Sequence, residues 1–403
     1  MVKMAKKEFM IRSDTLDKLR EQLEKAAGMI TDAIDDKRPI LVRHHADCDG
    51  YSGAVAFERV ILKRLSDVHR RESDIFRYYK RLPSKTPYYC YTDALKDLSV
   101  ILSDVRRFDH KTPLVIVIDN GSSREDTLAL KALKAYDIPV IVVDHHYFEP
   151  ENDNYIDIHI NPLLHDADPY VTAGMISSEL AGLIDGSVEG MALLAAVAGI
   201  ADRSDNDEVQ QYISIAAQKG YTRESLAELS EVIDFECFNL GYLESRFFVD
   251  DLFFGDIEKQ KRFISIVAPE IRKMKDAVLK AVEKYVEVIE CDKAVIGKLR
   301  VDSVTHTGRY PLRGKTTSLS KDYLTERFKK DAVMLGYGDT FITFRISKGL
   351  DLSMHTVKDY LEENFPHAHI IGGGHDKAGT IRFVSAAADE LLQKAVEFIR
   401  DRI

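Results

Sequence analysis

The stretch ILVRHHADCDG, residues 40–50, joins a short apolar run to two histidines and two aspartates. Three further short apolar runs follow along the chain: LVIVI (114–118), PVIVV (139–143) and YIDIHI (155–160). Runs this short and this rich in Val and Ile are typical of strands buried on both faces. Because helical stretches separate them, we predict a parallel sheet in an α/β domain.

Polar residues that can bind metals stand at the ends of three of these strands, and one more follows an Ala/Val-rich helical run at 191–200. They are His44, His45, Asp47, Asp49, Asp119, Asp144, His145, His146 and Asp202. A lone aspartate is most often a turn residue or a helix cap. In an open parallel sheet, however, residues at the carboxyl ends of strands converge on one crevice. We therefore expect these side chains to form a single site.

Carboxylates and imidazoles gathered without basic partners would repel one another, and divalent cations would hold them together. Imidazole mixed with carboxylate favours manganese over magnesium, which prefers an all-oxygen shell. Two such ions, about 3.5 to 4 Å apart, activate a water and stabilise the leaving oxygen of a phosphoryl displacement. The sequence thus predicts hydrolysis of a phosphate ester with two divalent ions, manganese favoured and magnesium as the alternative.

In order and spacing, the motifs HADCDG, DNG, DHH and AD, which span roughly residues 40–205, resemble those of the DHH phosphoesterases. The resemblance implies that one ion is held by His45, Asp47 and Asp119. It implies that the other is held by Asp49, Asp119, His145 and Asp202, with Asp119 bridging. It also implies that His146 faces the scissile phosphate and that Asp144 orients the adjacent histidine. Of His44 and His45, the family's His-x-Asp-x-Asp pattern favours His45 as the ligand.

A glycine run, IIGGGHDKAG at 370–379, stands near the other end of the chain. Glycine lets backbone amides approach an anion closely, although a glycine run alone is often a simple turn. The run lies where the DHH-associated domain of this superfamily carries a substrate-gripping loop. The resemblance therefore implies a set of substrate-binding residues: Gly372, Gly373, Gly374 and His375. It adds Arg345, in a predicted strand, where RecJ-like proteins place a substrate-contacting arginine.

The chain of 403 residues exceeds the size of one ordinary core, since single cores stop growing near roughly 250 to 300 residues. We predict four segments: an N-terminal amphipathic helix within 1–37, a DHH catalytic domain at 38–205, a helical connector at 206–290 and a smaller, substrate-binding α/β domain at 291–403. In the last segment, strands are predicted near 293–298, 331–335, 341–346 and 378–383. The active site is expected in the cleft between the two α/β domains.

The formal net charge is −10, which counts against a protein that coats nucleic acid non-specifically. The charge is uneven, because residues 291–348 hold twelve Lys or Arg against six Asp or Glu, whereas residues 201–260 hold five against fourteen. The four cysteines form no CxxC pair, which indicates reduced thiols. We expect a cytoplasmic protein without a membrane span, because no signal-peptide pattern or stretch of about 20 apolar residues is present.

A cluster of tyrosines between the first two motifs allows two interpretations. Tyr78, Tyr79, Tyr88, Tyr89 and Tyr91 alternate with Arg77, Lys80, Arg81 and Lys85. Such residues could stack on unpaired bases in a single-strand channel, or the tyrosines could belong to a core.

The combined signals favour a RecJ-like exonuclease that hydrolyses single-stranded DNA or RNA in replication or repair. One alternative is a phosphodiesterase for short oligonucleotides or cyclic dinucleotides. A manganese pyrophosphatase shares the metal motifs, but a glycine-rich substrate loop argues against it. A structural subunit of a replication complex is the third alternative, and the retained ligands argue against it. Replication proteins are expected partners, and the sequence leaves the oligomeric state open.

Overall fold

In a computed structural model, the residues described are 8–69, 71–84, 86–241, 246–306 and 308–403. The chain forms two compact units, one ending at Ala268 and the other beginning at Pro269. The α/β class predicted for both ends of the chain is confirmed, with a parallel sheet in the first unit and a mixed sheet in the second. Among the helices described, none is long and apolar enough to cross a membrane.

The sheet of the first unit has five described strands, all parallel, in the order β2-β1-β3-β4-β5. They are β1 (Ile40–His45), β2 (Tyr79–Ser84), β3 (Leu114–Ile118), β4 (Val140–Val143) and β5 (Ile158–Ile160). The chain leaves β1 for β2 on one side and reaches β3 on the other. The order of strands therefore reverses beside β1, which is where open α/β sheets bind their ligands.

Helices cover both faces of this sheet. They are α1 (Asp14–Asp35), α2 (Cys48–Val68), α3 (Glu72–Tyr78), α4 (Tyr91–Phe108), α5 (Thr127–Lys134), α6 (Ala173–Ile184), α7 (Met191–Ala201), α8 (Asp207–Ala217), α9 (Arg223–Leu240), α10 (Arg246–Phe254) and α11 (Ile257–Tyr285), which runs on into the second unit. Helices α4 and α5 pack on one face. The other face packs against α1, α2 and α6 to α10.

The apolar spacing of residues 14–35 predicts α1, and the structure shows why it begins where it does. Ser13 caps the helix by accepting a hydrogen bond from the Leu16 amide. The side chains at three- and four-residue spacing, Leu16, Leu19, Leu23, Ala26, Ala27, Ile30 and Ile34, are buried. The helix therefore belongs to the main core of the first unit.

The second unit has a six-stranded mixed sheet in the order β10-β11-β9-β8-β7-β6. Its strands are β6 (Glu287–Glu290), β7 (Ala294–Arg300), β8 (Asp331–Gly338), β9 (Phe341–Ile346), β10 (Ile371–His375) and β11 (Ala378–Arg382). Its helices, after the end of α11, are α12 (Arg313–Phe328), α13 (Met354–Asn364) and α14 (Ala388–Arg400). Helices α13 and α14 pack on one face, and α12 with the end of α11 packs on the other.

Three strands differ from the prediction. The stretch EVIE, expected to be the end of the helical connector, forms β6 and pairs antiparallel with β7. The polar stretch YKRLPS forms β2, whereas the sequence pattern gave no strand there. The glycine run at 371–375, expected to form a loop, is the edge strand β10, paired antiparallel with β11. For β2 and β10, neighbouring strands supply the hydrogen-bond partners, and the stretch itself lacks the Val and Ile content that marks a strand in sequence.

Candidate functional site

The first motif turns directly from strand β1 into helix α2. Asp47 caps α2 by accepting a hydrogen bond from the Gly50 amide at 3.0 Å, and Asp49 lies buried in the first turn. A Cβ at Gly50 would lie 2.4 Å from the His45 carbonyl oxygen. Glycine therefore allows the helix to begin immediately beside the strand end, which brings both aspartates to the carboxyl edge of the sheet.

A first group of possible metal ligands consists of His45, Asp47 and Asp119. His45 Nδ1 lies 2.9 Å from Asp47 Oδ2 and 3.2 Å from Asp119 Oδ2. Asp119 follows β3 in the left-handed region with φ 56°, which is uncommon for a residue with a side chain. The turn after β3 thus holds the Asp119 carboxylate at the sheet edge in a strained backbone conformation.

A second group surrounds His145, which follows β4. His145 Nε2 lies 3.3 Å from Asp202 Oδ2, 3.4 Å from Asp119 Oδ1 and 3.7 Å from Asp49 Oδ2. The two oxygens of Asp119 therefore face different histidines, Oδ2 towards His45 and Oδ1 towards His145. The structure brings all six predicted ligands together, with Asp119 between the two groups.

Asp144 and His146 form a hydrogen-bonded pair beside this cluster. His146 Nδ1 lies 2.7 Å from Asp144 Oδ1, which also accepts a hydrogen bond from the His145 amide at 2.8 Å. The second oxygen, Oδ2, accepts one from the Ser122 amide at 3.2 Å. Burial alone would raise the pKa of Asp144, but His146 and these donors outweigh it and hold the pKa below its ordinary value. Asp144 is thus a buried carboxylate that orients the His146 ring.

The two adjacent histidines of β1 have different surroundings. His45 lies in the first ligand group, whereas His44 is fully buried with its ring 4.5 Å from that of Tyr51, in an edge-to-face arrangement. Burial and the neighbouring positive charge of Arg81 lower the pKa of His44 well below its ordinary value. Since successive strand residues point to opposite faces, only one histidine of the pair can reach the site.

The cluster concentrates negative charge away from water. Burial raises the pKa of Asp202 to about 7; His145 opposes this and Asp119 adds to it. Burial, followed by Asp119 and Asp202, raises the pKa of Asp49 well above its usual range. Burial would lower the pKa of His145, but the Asp119 and Asp202 carboxylates raise it well above its usual range. Asp49, Asp202 and His145 therefore hold protons more tightly than usual. A divalent cation bound among them could replace these protons and balance the negative charge.

The donor atoms fit divalent metal ions. Among the described residues, no hydrogen-bond donor reaches Asp49 Oδ2 or Asp119 Oδ1, although both atoms are buried. Unsatisfied buried carboxylate oxygens are costly unless a cation binds them. Imidazole nitrogens mixed with carboxylate oxygens suit ions such as manganese. The residues present therefore match the predicted metal site in both chemistry and arrangement.

The predicted substrate residues lie in the second unit, on adjacent strands. Arg345 on β9 is in register with Ala378 on β11, which is in register with His375 on β10. Residues in register on neighbouring strands share a face, so His375 and Arg345 project to the same side. Arg345 Nε donates to Ser318 Oγ at 2.8 Å, and His355 Nε2 lies 3.1 Å from the Gly374 carbonyl oxygen. The second unit thus brings together Arg345, His375 and the glycine strand β10.

The tyrosine cluster belongs mainly to the core. Tyr79 and Tyr89 are fully buried, and Tyr89 Oη donates to Asp97 at 2.9 Å. Arg81 is buried too, with Nε 3.2 Å from Glu58 Oε2. Lys85 lies outside the described residues. Of the two interpretations of the cluster, the structure supports core packing for Tyr79 and Tyr89, since neither can stack on a base.

Sequence reasoning missed a loop that contacts the metal-binding residues. Thr172 Oγ1 donates to Asp49 Oδ1 at 2.6 Å, and the Pro169 carbonyl oxygen lies 2.9 Å from His145 Nδ1. The only sequence signal was Thr172 as a helix cap before α6, a role it also has.

Comparisons with known proteins agree with this fold. The model of the DHH family, N-terminal domain, matches residues 39–213. The solved DHH domain of PF0399, described as a member of the s1p family of ribosomal proteins, is 32% identical with a TM-score of 0.93, and the match covers 98% of this chain and 94% of that one. The chain therefore belongs to the DHH family, within the DHH phosphoesterase superfamily.

Two further relatives extend the comparison. The uncharacterized protein MJ1198 of Methanocaldococcus jannaschii is 33% identical over 98% of this chain. The chain spans 56% of the length of that relative. The structure of exonuclease RecJ bound to manganese is 16% identical with a TM-score of 0.60, and the match covers 95% of each chain. At that identity the likeness to RecJ shows a shared fold.

Proposed function

We propose that this chain is a metal-dependent phosphodiesterase, a RecJ-like exonuclease that hydrolyses single-stranded nucleic acid in DNA replication or repair. The observation that carries the proposal is the Asp119 carboxylate, whose Oδ2 lies 3.2 Å from His45 Nδ1 and whose Oδ1 lies 3.4 Å from His145 Nε2. A carboxylate shared in this way can bridge two neighbouring cations. Manganese is the favoured ion, because the site offers imidazole as well as carboxylate.

Each residue has a defined part in the proposed reaction. His45, Asp47 and Asp119 would hold one ion; Asp49, Asp119, His145 and Asp202 would hold the other. Bound there, the two ions supply an activated water and offset charge on the leaving oxygen. Because Asp144 accepts the hydrogen bond from His146 Nδ1, His146 would present Nε2 to the phosphate. The phosphate would thus meet an oriented imidazole at the edge of the sheet.

The second unit supports a substrate larger than a free phosphate. Arg345, His375 and the glycine strand Gly372–Gly374 share one part of the mixed sheet. A fixed guanidinium suits phosphate recognition, and glycines allow close approach of a backbone. Both features favour a nucleic acid or a short oligonucleotide, and chain-length preference separates these two substrates.

The test uses end-labelled DNA and RNA, from dinucleotide to long single strand, with Mn²⁺ or Mg²⁺ supplied. We expect a ladder of products from single strands and little cleavage of duplexes. Asp119→Ala should reduce turnover by at least about a thousandfold, since it removes the bridging group of a two-ion reaction. The matched control is Asp137→Ala, because exposed Asp137 also has a left-handed backbone, with φ 52°.

Two results would count against the proposal. The first is an absence of phosphodiester cleavage with either ion. The second is substantial residual activity in Asp119→Ala when Asp137→Ala retains wild-type activity. If dinucleotides alone are cleaved, the short-oligonucleotide function replaces the nuclease.

A further inference from the structure

A loop that runs into the first turn of α6, residues 166–174, touches two of the residues proposed to hold one ion. It also touches the turn that carries a third. Thr172 Oγ1 and the Gly174 amide donate to Asp49 Oδ1 at 2.6 and 3.0 Å. Ser204 Oγ, two residues after Asp202, donates to the Tyr170 carbonyl oxygen at 2.7 Å. The loop therefore orients the Asp49 carboxylate and anchors the turn that carries Asp202.

The same loop sets the orientation of His145. The Pro169 carbonyl oxygen lies 2.9 Å from His145 Nδ1 and can only accept a hydrogen bond, so Nδ1 carries the proton. In the neutral ring that a metal ion would bind, this leaves the lone pair on Nε2, which faces Asp49, Asp119 and Asp202. A histidine ligand whose other nitrogen donates to a carbonyl group is oriented for metal binding.

The N-terminal helix α1 also forms hydrogen bonds with this loop. The Asp168 amide donates to Thr15 Oγ1 at 3.3 Å, and Lys18 Nζ donates to the Asp166 carbonyl oxygen at 2.5 Å. Thr15 is buried, with 5% of its surface exposed. Helix α1 lies before residue 39, where the match to the DHH family model begins.

The start of α1 is itself fixed to α8, the helix that follows Asp202. Ser13 Oγ donates to Glu208 Oε1 at 2.6 Å. The Arg12 amide donates to Gln211 Oε1 at 3.1 Å, and Gln211 Nε2 donates back to the Arg12 carbonyl oxygen at 2.8 Å. Helix α1 therefore spans from α8 to the loop that orients Asp49 and His145.

From these contacts we infer that α1 is a positioning element for one half of the metal site, acting through Thr15 and Lys18 on the 166–174 loop. The inference rests on the proposed function, because it concerns the ion assigned to Asp49, Asp119, His145 and Asp202. Neither Thr15 nor Lys18 would contact an ion or the substrate. Their contribution is to keep the Pro169 carbonyl oxygen and the Thr172 hydroxyl where the ligands need them.

The test measures Mn²⁺ binding to the full chain without substrate, by calorimetry and by electron paramagnetic resonance. Thr15→Val removes the acceptor of the Asp168 amide, and Lys18→Met removes the donor to Asp166. Each should weaken the binding of one ion by about fivefold, the effect of one hydrogen bond, and leave the other ion unaffected. The resonance should then shift from paired towards single Mn²⁺.

Two controls separate positioning from general destabilisation. Thr15→Ser keeps the hydroxyl and should restore wild-type binding. Thr31→Val removes a hydroxyl from the same helix, where Thr31 Oγ1 donates only to the Ala27 carbonyl oxygen, and should bind both ions like wild type. If Thr15→Val does not fold, Lys18→Met carries the test, because Lys18 is exposed.

The outcomes distinguish the two proposals. Wild-type binding of both ions by Thr15→Val and Lys18→Met, or equal weakening of both ions, would overturn the positioning role and leave the proposed function intact. A wild-type chain that binds no Mn²⁺ would remove the proposed function and this inference with it.

Discussion

Thr172 donates a hydrogen bond of 2.6 Å to one oxygen of Asp49, and the other oxygen faces His145 Nε2 at 3.7 Å. The Thr172 hydroxyl group thus fixes the orientation of the Asp49 carboxylate, and the two oxygens have different surroundings. Oδ1 is held by the protein, and Oδ2 is directed into the cluster. An asparagine at position 49 could still accept the hydrogen bond from Thr172, but it would no longer direct a charged oxygen into the cluster.

We therefore expect Asp49→Asn to stabilise the metal-free protein. Burial, Asp119 and Asp202 raise the pKa of Asp49, so folding at neutral pH has to place a proton on this carboxyl group. Asparagine avoids that cost, and its amide oxygen can accept the same hydrogen bonds. In chelator, the melting temperature should rise by at least about 2 °C, which corresponds to roughly 1 kcal/mol for a domain of this size. Scanning calorimetry with and without Mn²⁺ measures the change, and the gain on adding Mn²⁺ should shrink.

Asp97→Asn provides a control of opposite sign. Asp97 is buried in the same unit, but it forms an ion pair with Arg43. Neutralising it leaves a buried guanidinium without its counter-charge, which should lower the melting temperature. A lower melting temperature for Asp49→Asn as well, in chelator, would contradict the proposed repulsion within the cluster.

Glu179 predicts a pH dependence of stability. It is buried on α6 and accepts hydrogen bonds from the Met10 amide at 3.0 Å and from Tyr212 Oη at 2.7 Å. Burial nevertheless raises its pKa to about 7. Between about pH 4.5 and 7 the folded protein keeps a proton that the unfolded chain releases, so stability falls as pH rises, by roughly 3 kcal/mol from this group.

Urea unfolding of Glu179→Gln at several pH values checks this dependence. Glutamine cannot ionise, so the free energy of unfolding should fall less steeply between pH 4.5 and 7 than in wild type. Glu24→Gln, on the exposed side of α1, should keep the wild-type slope. An unchanged slope in Glu179→Gln would show that folding does not raise the pKa of this carboxyl group.

The core assignment of the tyrosine cluster can be tested with two hydroxyl deletions. Tyr89→Phe removes the hydrogen bond to buried Asp97 and should cost about 1 to 2 kcal/mol of stability, without changing affinity for single strands. Tyr91, 42% exposed, is the control, since Tyr91→Phe should stay within about 0.5 kcal/mol of wild type. Wild-type stability of Tyr89→Phe would contradict the core assignment, because it would mean that the hydroxyl group makes no buried hydrogen bond.

The glycine strand β10 offers a matched pair of substitutions. Gly374 has φ 143°, and a Cβ there would lie 2.4 Å from the Ala378 carbonyl oxygen, so Gly374→Ala should destabilise the second unit by about 2 kcal/mol or more. A Cβ at Gly373 would meet no atom of the described chain within 4 Å, so Gly373→Ala should fold normally.

Measuring nuclease activity of the Gly373→Ala variant then separates an effect on folding from an effect on substrate binding. Gly373 lies two residues before His375 on β10, so both residues project to the same face of the sheet. If that face binds substrate, the methyl group of Gly373→Ala should raise KM for single strands. Chemical unfolding and steady-state kinetics measure the two effects. An unchanged KM in Gly373→Ala would argue against substrate contact at this strand.

The sequence predicts much of the site because the site residues stand at the ends of strands that the sequence pattern reveals. Val- and Ile-rich runs identify β1, β3 and β4, and the acidic and imidazole groups follow those runs directly. Topology then requires them to meet at one edge. Alternation allows only one of His44 and His45 to reach the site and does not say which. The family resemblance favours His45, and the structure places His45 beside Asp47 and Asp119.

Other features depend on tertiary contacts that leave no pattern in sequence. The strand β2 contains Lys80 and Arg81, and the buried Arg81 pairs with Glu58 from α2. Likewise, Pro169 orients His145 through a backbone carbonyl group, which every residue has. Such contacts depend on where the chain returns in space, and residue type does not encode that.

The burial of α1 also limits where the chain can be divided. A fragment that begins at residue 38 would retain the whole region that matches the family model but lose the helix that covers part of its apolar surface. The uncovered surface of α2 and α6 would then face water, and exposed apolar patches of this kind promote aggregation. Expression of the minimal matched region should therefore yield insoluble material, whereas fragments starting before Phe9 would keep the protective cover.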